Sequence, residues 1–140
     1  MAYGQNVFFG SGASPLTFVA FDVSGIGVSN NDGAIVQRLP LPFAVTIFTL
    51  AAVCAAGSGT VNVVYGENTA SYVPPAFGGI AVPGSTLFAV DIPLLAPGGV
   101  AFATCAAPAL WPAGTSLTLR ATTPAGNGVS GLKVVLGVAI

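Results

Sequence analysis

Glycine and proline divide this chain into separate apolar runs. They account for 19 and 11 of its 140 residues, and valine, threonine, phenylalanine and isoleucine fill the runs between them. Short apolar runs between turn residues are typical of β-strands joined by turns. No window combines a 3.6-residue apolar period with helix-capping residues. The pattern therefore predicts an all-β protein with little or no helix.

The apolar runs indicate about eight strands. They cover residues 16–23, 34–39, 43–53, 59–65, 86–92, 100–105, 115–122 and 132–140. Turn residues recur at the spacing expected of a β-sandwich or jelly roll. We therefore expect a single-domain β-sandwich of jelly-roll type over residues 16–140, preceded by an N-terminal arm over residues 1–15. The Pro/Gly-rich stretch 71–84 is expected to be a loop, because proline cannot donate to a central ladder.

The run 43–53 is apolar at both odd and even positions, with Val45 and Ile47 on one face and Phe48 and Leu50 on the other. A strand with two apolar faces should be central and covered on both sides, or should contact a neighbouring subunit.

Three further expectations concern strand pairing and charge. Residues 59–65 should pair with 43–53 as a hairpin. In 115–122, Leu117 and Leu119 should face the core, and Thr118 and Arg120 should point to solvent. Lys133 should lie at a rim or edge, where it would oppose pairing with other chains.

Charge is scarce, and this excludes most chemistry. The chain has no histidine, and charged residues make up 5% against roughly a quarter in ordinary domains. The charged residues are Asp22, Asp32, Arg38, Glu67, Asp91, Arg120 and Lys133. We therefore expect no enzymatic activity, no metal or other cofactor, and no nucleic-acid partner, since phosphate binding needs a basic surface.

Apolar residues reach 54% and the mean hydropathy is +0.87, so a membrane protein must be considered. The longest apolar run, 43–56, is shorter than the roughly 20 residues of a spanning helix. The first residues lack the charged and apolar regions of a signal peptide, so we expect synthesis in a cytoplasm. The apolar surface then indicates a protein covered by partners.

The two cysteines, Cys54 and Cys105, both lie in apolar runs. The interpretation that we favour is two buried thiols; a disulfide formed late, after release from the cell, is the alternative.

Aromatic residues in loops and in the arm are the candidate contact residues. With one arginine, they are Tyr3, Phe8, Phe9, Arg38, Tyr72, Phe77 and Trp111. Each has a structural alternative: Trp111 can fill the core, and Arg38 can bind loop carbonyls or a carboxylate.

Four segments together resemble those of small β-sandwich decoration (cement) and fibre-type proteins of tailed bacteriophages. They are MAYGQNVFFGSG as an arm, RLPLPFAVTIFTLAAV as an early strand, PAGTSLTLRAT near the end and GLKVVLGVAI as the closing strand. The resemblance implies a virion structural protein on the capsid surface, a homo-trimer that binds the major capsid protein or another virion protein. The alternative is a receptor- or glycan-binding head domain of a tail fibre or spike, in which Tyr72, Phe77 and Trp111 would contact sugar.

Overall fold

The computed structural model describes residues 16–23, 34–66, 74–76, 78–105, 108–123 and 128–140, and these form nine β-strands and no helix. The strands are β1 (Leu16–Val23), β2 (Ala34–Pro40), β3 (Val45–Val53), β4 (Thr60–Tyr65), β5 (Ile92–Pro93), β6 (Ala101–Thr104), β7 (Leu110–Trp111), β8 (Ser116–Thr122) and β9 (Leu132–Ala139). The expected all-β sandwich is confirmed. The expected arm, 1–15, lies outside the described residues.

The strands form two antiparallel sheets. The first sheet has the order β1-β9-β3-β6, with β7 also paired to β3, and the second has the order β2-β8-β4-β5. The pairing is nested along the chain: β1 pairs with β9, β2 with β8, β3 with β6 and β7, and β4 with β5. Consecutive strands from β1 to β4 therefore alternate between the sheets.

The hairpin expected between 43–53 and 59–65 is wrong. Both edges of β3 are occupied, by β9 on one side and by β6 and β7 on the other. β4 pairs instead with β8 and β5 in the second sheet. The chain crosses between the sheets at Gly57, whose φ of 88° suits glycine and whose missing side chain leaves room for the Gly128 carbonyl.

The core lies between the two sheets. The first sheet contributes alternate residues of β9, and the second contributes Val61, Val63, Leu117 and Leu119. A bulge at Phe48 in β3 shifts the pairing with β9. Because of this bulge, Leu50 lies on the same face as Val45 and Ile47, and all three point into the core. The expectation that Leu50 lies on the opposite face is therefore wrong.

The predicted strand 86–92 is only partly formed. Thr86 makes an isolated bridge to Val64, and regular pairing resumes at β5. Between them the Asn62 side chain replaces the backbone: its Oδ1 accepts from the Phe88 amide at 3.2 Å and its Nδ2 donates to the Phe88 carbonyl at 2.9 Å. An inserted side chain that satisfies both groups removes the need for a continuous ladder.

The described residues include no helix long and apolar enough to cross a membrane.

Candidate interaction surface

The surface of the first sheet that points away from the core, here called the outer face, is mostly apolar and open to solvent. Residues paired across neighbouring strands form rows on this face. One row consists of Ala20, Val135, Ala51 and Phe102, which lie side by side on four neighbouring strands. Other members of the outer face include Phe18, Asp22, Phe48, Thr49, Val53, Thr104, Leu110, Lys133 and Gly137. Exposed apolar residues that form one continuous patch indicate a surface that a partner covers.

Phe102 is the main projection on the outer face. Its side chain is 65% exposed, although its neighbour Ala101 is buried. Ala51 stands opposite Phe102 in the ladder and is too small to cover the ring. The aromatic ring therefore rises above its row as a knob.

A notch of about 360 Å³ lies where Gly137 leaves the outer face without a side chain. Its lining comprises Thr17, Phe48, Thr49, Gly137 and Val138. Glycine avoids a close contact at this position, because a Cβ there would collide with the Thr49 hydroxyl of the paired strand unless that side chain turned away. The notch is therefore fixed by close contact between two strands.

The outer side of the second sheet is different, because the chain itself covers it. Asn62, Val64, Thr118 and Arg120 lie on that side, and none is more than 3% exposed. Thr118 Oγ1 donates to the Gly66 carbonyl at 2.6 Å. The polar groups in the middle of this side are thus bonded within the protomer, with Arg38 exposed on the edge strand β2, whereas the apolar outer face of the first sheet is left open.

The expected solvent positions of Thr118 and Arg120 are wrong, because both residues are buried. The Nη2 of Arg120 lies 3.4 Å from Oδ1 of Asp91, which also accepts from Asn62 Nδ2 at 3.0 Å. Oδ2 of the same carboxylate accepts from Thr60 Oγ1 at 3.4 Å. Alternation put Arg120 on the correct side of β8, but the segment before β5 folds over that side and buries it.

Lys133, the charged residue of β9, is exposed, as expected. It stands opposite Asp22 on β1 and Val53 on β3, at one end of the outer face. β9 is an interior strand, so Lys133 lies at a rim and not on a sheet edge.

Both cysteines are free and buried, which confirms the favoured interpretation. The Cys105 amide donates to the carbonyl of Phe48 in β3, so Cys105 lies beside Phe48. Cys54 comes six residues after Phe48, just past the far end of the same strand. Six strand residues span roughly 20 Å, beyond the reach of a disulfide. Burial raises the pKa of the Cys105 thiol to about 11. Among the described residues, no three His, Cys, Asp or Glu side chains are grouped to hold a metal ion.

Two of the candidate contact residues can be placed, and the structure does not bring them together. Trp111 is 1% exposed and packs edge-on against Tyr65, with ring centroids 5.6 Å apart. Trp111 therefore fills the core, which was the structural alternative for this residue, and it is not available for contact with a partner. Arg38 is exposed on β2, in the other sheet, opposite Thr118. The remaining candidates, Tyr3, Phe8, Phe9, Tyr72 and Phe77, lie outside the described residues.

The sequence reasoning missed Phe18, Phe102 and Val135 as surface residues. The sequence did indicate a second apolar face, because apolar residues occupy both odd and even positions in β3 and β9. That pattern could not show which face was covered by the second sheet and which was open.

No protein-family model, curated protein or solved structure matches this chain.

Proposed function

We propose that this chain is a structural virion protein, a decoration or cement subunit that binds the outer shell of a phage head and stabilises it through apolar contacts. The observation that carries the proposal is the open outer face, which has Phe18, Phe48 and Phe102 on its surface and charge only at one end. Burial of apolar area at roughly 25 cal/mol per Å² supplies the stabilisation.

The difference between the two sheets supports an assembly role. The second sheet is closed by the chain's own loops, so its polar network serves folding. The first sheet leaves three exposed phenylalanines on one surface, which is costly in water unless another molecule covers them. A subunit whose contacts are made in a particle has this distribution.

We also infer that the sandwich is a jelly roll. Its nested pairs, first strand with last and second with second-last, support this assignment. A jelly roll occurs in viral capsid proteins and in lectins, so the fold alone leaves both a structural and a sugar-binding role open.

The burial of Trp111 removes one of the aromatic residues that a sugar site would need, and it therefore favours the structural role.

The homo-trimer implied by the resemblance belongs to the same proposal, as does the capsid protein as partner. The test uses purified particles of the phage that encodes the chain. We expect mass spectrometry to detect the chain in many copies per particle, and we expect added protein to bind heads assembled without it and to raise their disruption temperature. Particles that lack the chain, together with a measurable affinity of the purified protein for a glycan, would overturn the proposal in favour of the receptor-binding alternative.

A further inference from the structure

We propose that the outer face pairs with the outer face of a second copy about a two-fold axis, so that Phe102 of each copy enters the Gly137 notch of the other. This deepens the proposed function and rests on it, since it names a second copy of the subunit, and not the head shell itself, as the molecule that covers the outer face in the particle. It specifies the interface, the residues in contact and the symmetry.

The knob and the notch lie on one face, and this determines the symmetry. Phe102 is on β6 in the row of Ala51, and Gly137 is on β9 in the next outer row, that of Thr49. A two-fold axis that lies in the interface midway between a knob and a notch exchanges the two positions. Both knobs then meet both notches at once, which makes the contact isologous and closed.

The charges provide a second, independent match. On an idealised ladder, with strands about 4.8 Å apart and alternate residues about 6.8 Å apart, the same axis passes close to Asp22 and Lys133. Their exchange about the axis places Asp22 of one copy over Lys133 of the other. The charges at the end of the outer face thus meet opposite charges, although the axis was placed from Phe102 and Gly137 alone.

The area suits a weak pair. β1, β9 and β3, with eight or nine residues each, and the shorter β6 and β7 cover about 500 Å² per copy. The strands of the two copies cross at a steep angle about this axis, so about four-fifths of each face overlaps and the pair buries about 800 Å², the size of a weak, concentration-dependent contact. A well-packed aromatic contact, made twice in the pair by Phe102 on the edge strand β6, supplies much of the binding energy.

Phe102→Ser and Phe43→Ser form a matched pair of variants. Phe43 is also exposed, at 48%, but lies in the loop between β2 and β3. By native mass spectrometry over a dilution series, we expect Phe102→Ser to weaken pairing at least about tenfold and Phe43→Ser less than about threefold. Unchanged circular dichroism and unfolding midpoint in both variants establish that folding is intact. Equal effects of the two variants would overturn the proposed contact.

A mixing experiment tests the charge contact between copies. Asp22→Lys and Lys133→Asp each place like charges at the end of the outer face, so we expect each chain alone to pair about tenfold more weakly at low salt. Mixed in equal amounts, the two chains should form hetero-pairs, which native mass spectrometry separates by mass. Failure of the mixture to pair better than either chain alone would overturn the two-fold arrangement.

The native mass of the unmodified chain separates this inference from the proposed function. Dimers support the pair, and so do hexamers, because a hexamer can hold two-fold pairs within a three-fold assembly. A trimer with no even-numbered species, or a monomer at all concentrations, would overturn the pair. The presence of the chain in purified particles is measured separately and decides the virion role.

Discussion

Arg120 on β8 and Asp91 before β5 form a salt bridge, with Nη2 and Oδ1 3.4 Å apart, on the side of the second sheet that faces away from the core. Arg120 is 3% exposed, so its positive charge is buried beside the carboxylate. The contact ties an irregular segment to the middle of a sheet. Removing one partner of such a pair is costly, because the other charge then loses its compensation inside the protein.

Asp91→Asn should therefore lower the free energy of unfolding by about 3 kcal/mol, because the amide keeps the shape of the side chain but not its charge. Urea unfolding followed by fluorescence of Trp111 measures the change. Asp22→Asn removes the same charge from an exposed position, and we expect a loss below about 1 kcal/mol. Equal losses in the two variants would contradict a structural role of the buried pair.

Asn62→Ala should destabilise the segment that follows Thr86. The Asn62 side chain accepts from the amides of Val63 and Phe88 and donates to the Phe88 carbonyl. Its loss leaves these groups unpaired at a cost of about 2–3 kcal/mol. Hydrogen exchange at the Phe88 amide should become at least about tenfold faster. An unchanged exchange rate would show that this segment is held by other contacts.

Gly137→Ala should destabilise the first sheet by about 1–3 kcal/mol, because the new methyl group collides with the Thr49 hydroxyl. The collision is local, so Thr49→Ala in the same chain should recover most of the loss. A double-mutant cycle on the unfolding free energy measures the coupling. Additive effects of the two substitutions would contradict a direct contact between these residues.

The stability of the protein should fall as the pH rises from about 9 to about 11. The Cys105 thiol has a pKa of about 11 in the folded chain, against a usual value of 9.0. Between these values the unfolded chain has lost the proton that the folded chain still holds, so alkaline conditions favour unfolding. The expected loss is about 2 kcal/mol. In Cys105→Ala this part of the pH dependence should be absent, and an identical pH profile in the variant would contradict the assignment.

The proposed assembly should resist high salt. Its outer face carries charge only at one end, so salt has few ion pairs to screen and strengthens apolar burial. Native mass should be unchanged between low and molar sodium chloride, as measured by light scattering. Dissociation into monomers across that range would show that charge contacts hold the assembly.

Most of the strands could be predicted from residue type alone. The predicted runs agree within one or two residues with the strands β1, β2, β3, β4, β6, β8 and β9, because β-branched residues between glycines and prolines have few other local options. Pairing could not be predicted in the same way. The apolar residues of β3 and β4 would allow these strands to pair in one sheet or to lie in two different sheets. They lie in different sheets because β9 and β6 already pair with the two edges of β3.

The sequence by itself determined the all-β class and the scarcity of charge, since each depends on residue type and local pattern. Only the tertiary structure decided where the apolar surface is exposed. Val135 and Val134 are neighbours of the same type, yet one lies on the outer face and the other is buried in the core. Alternation puts them on opposite sides of β9, but which side is covered depends on the packing of the second sheet. The same dependence buried Arg120 and Trp111, because burial is set by what packs against a residue from elsewhere in the chain.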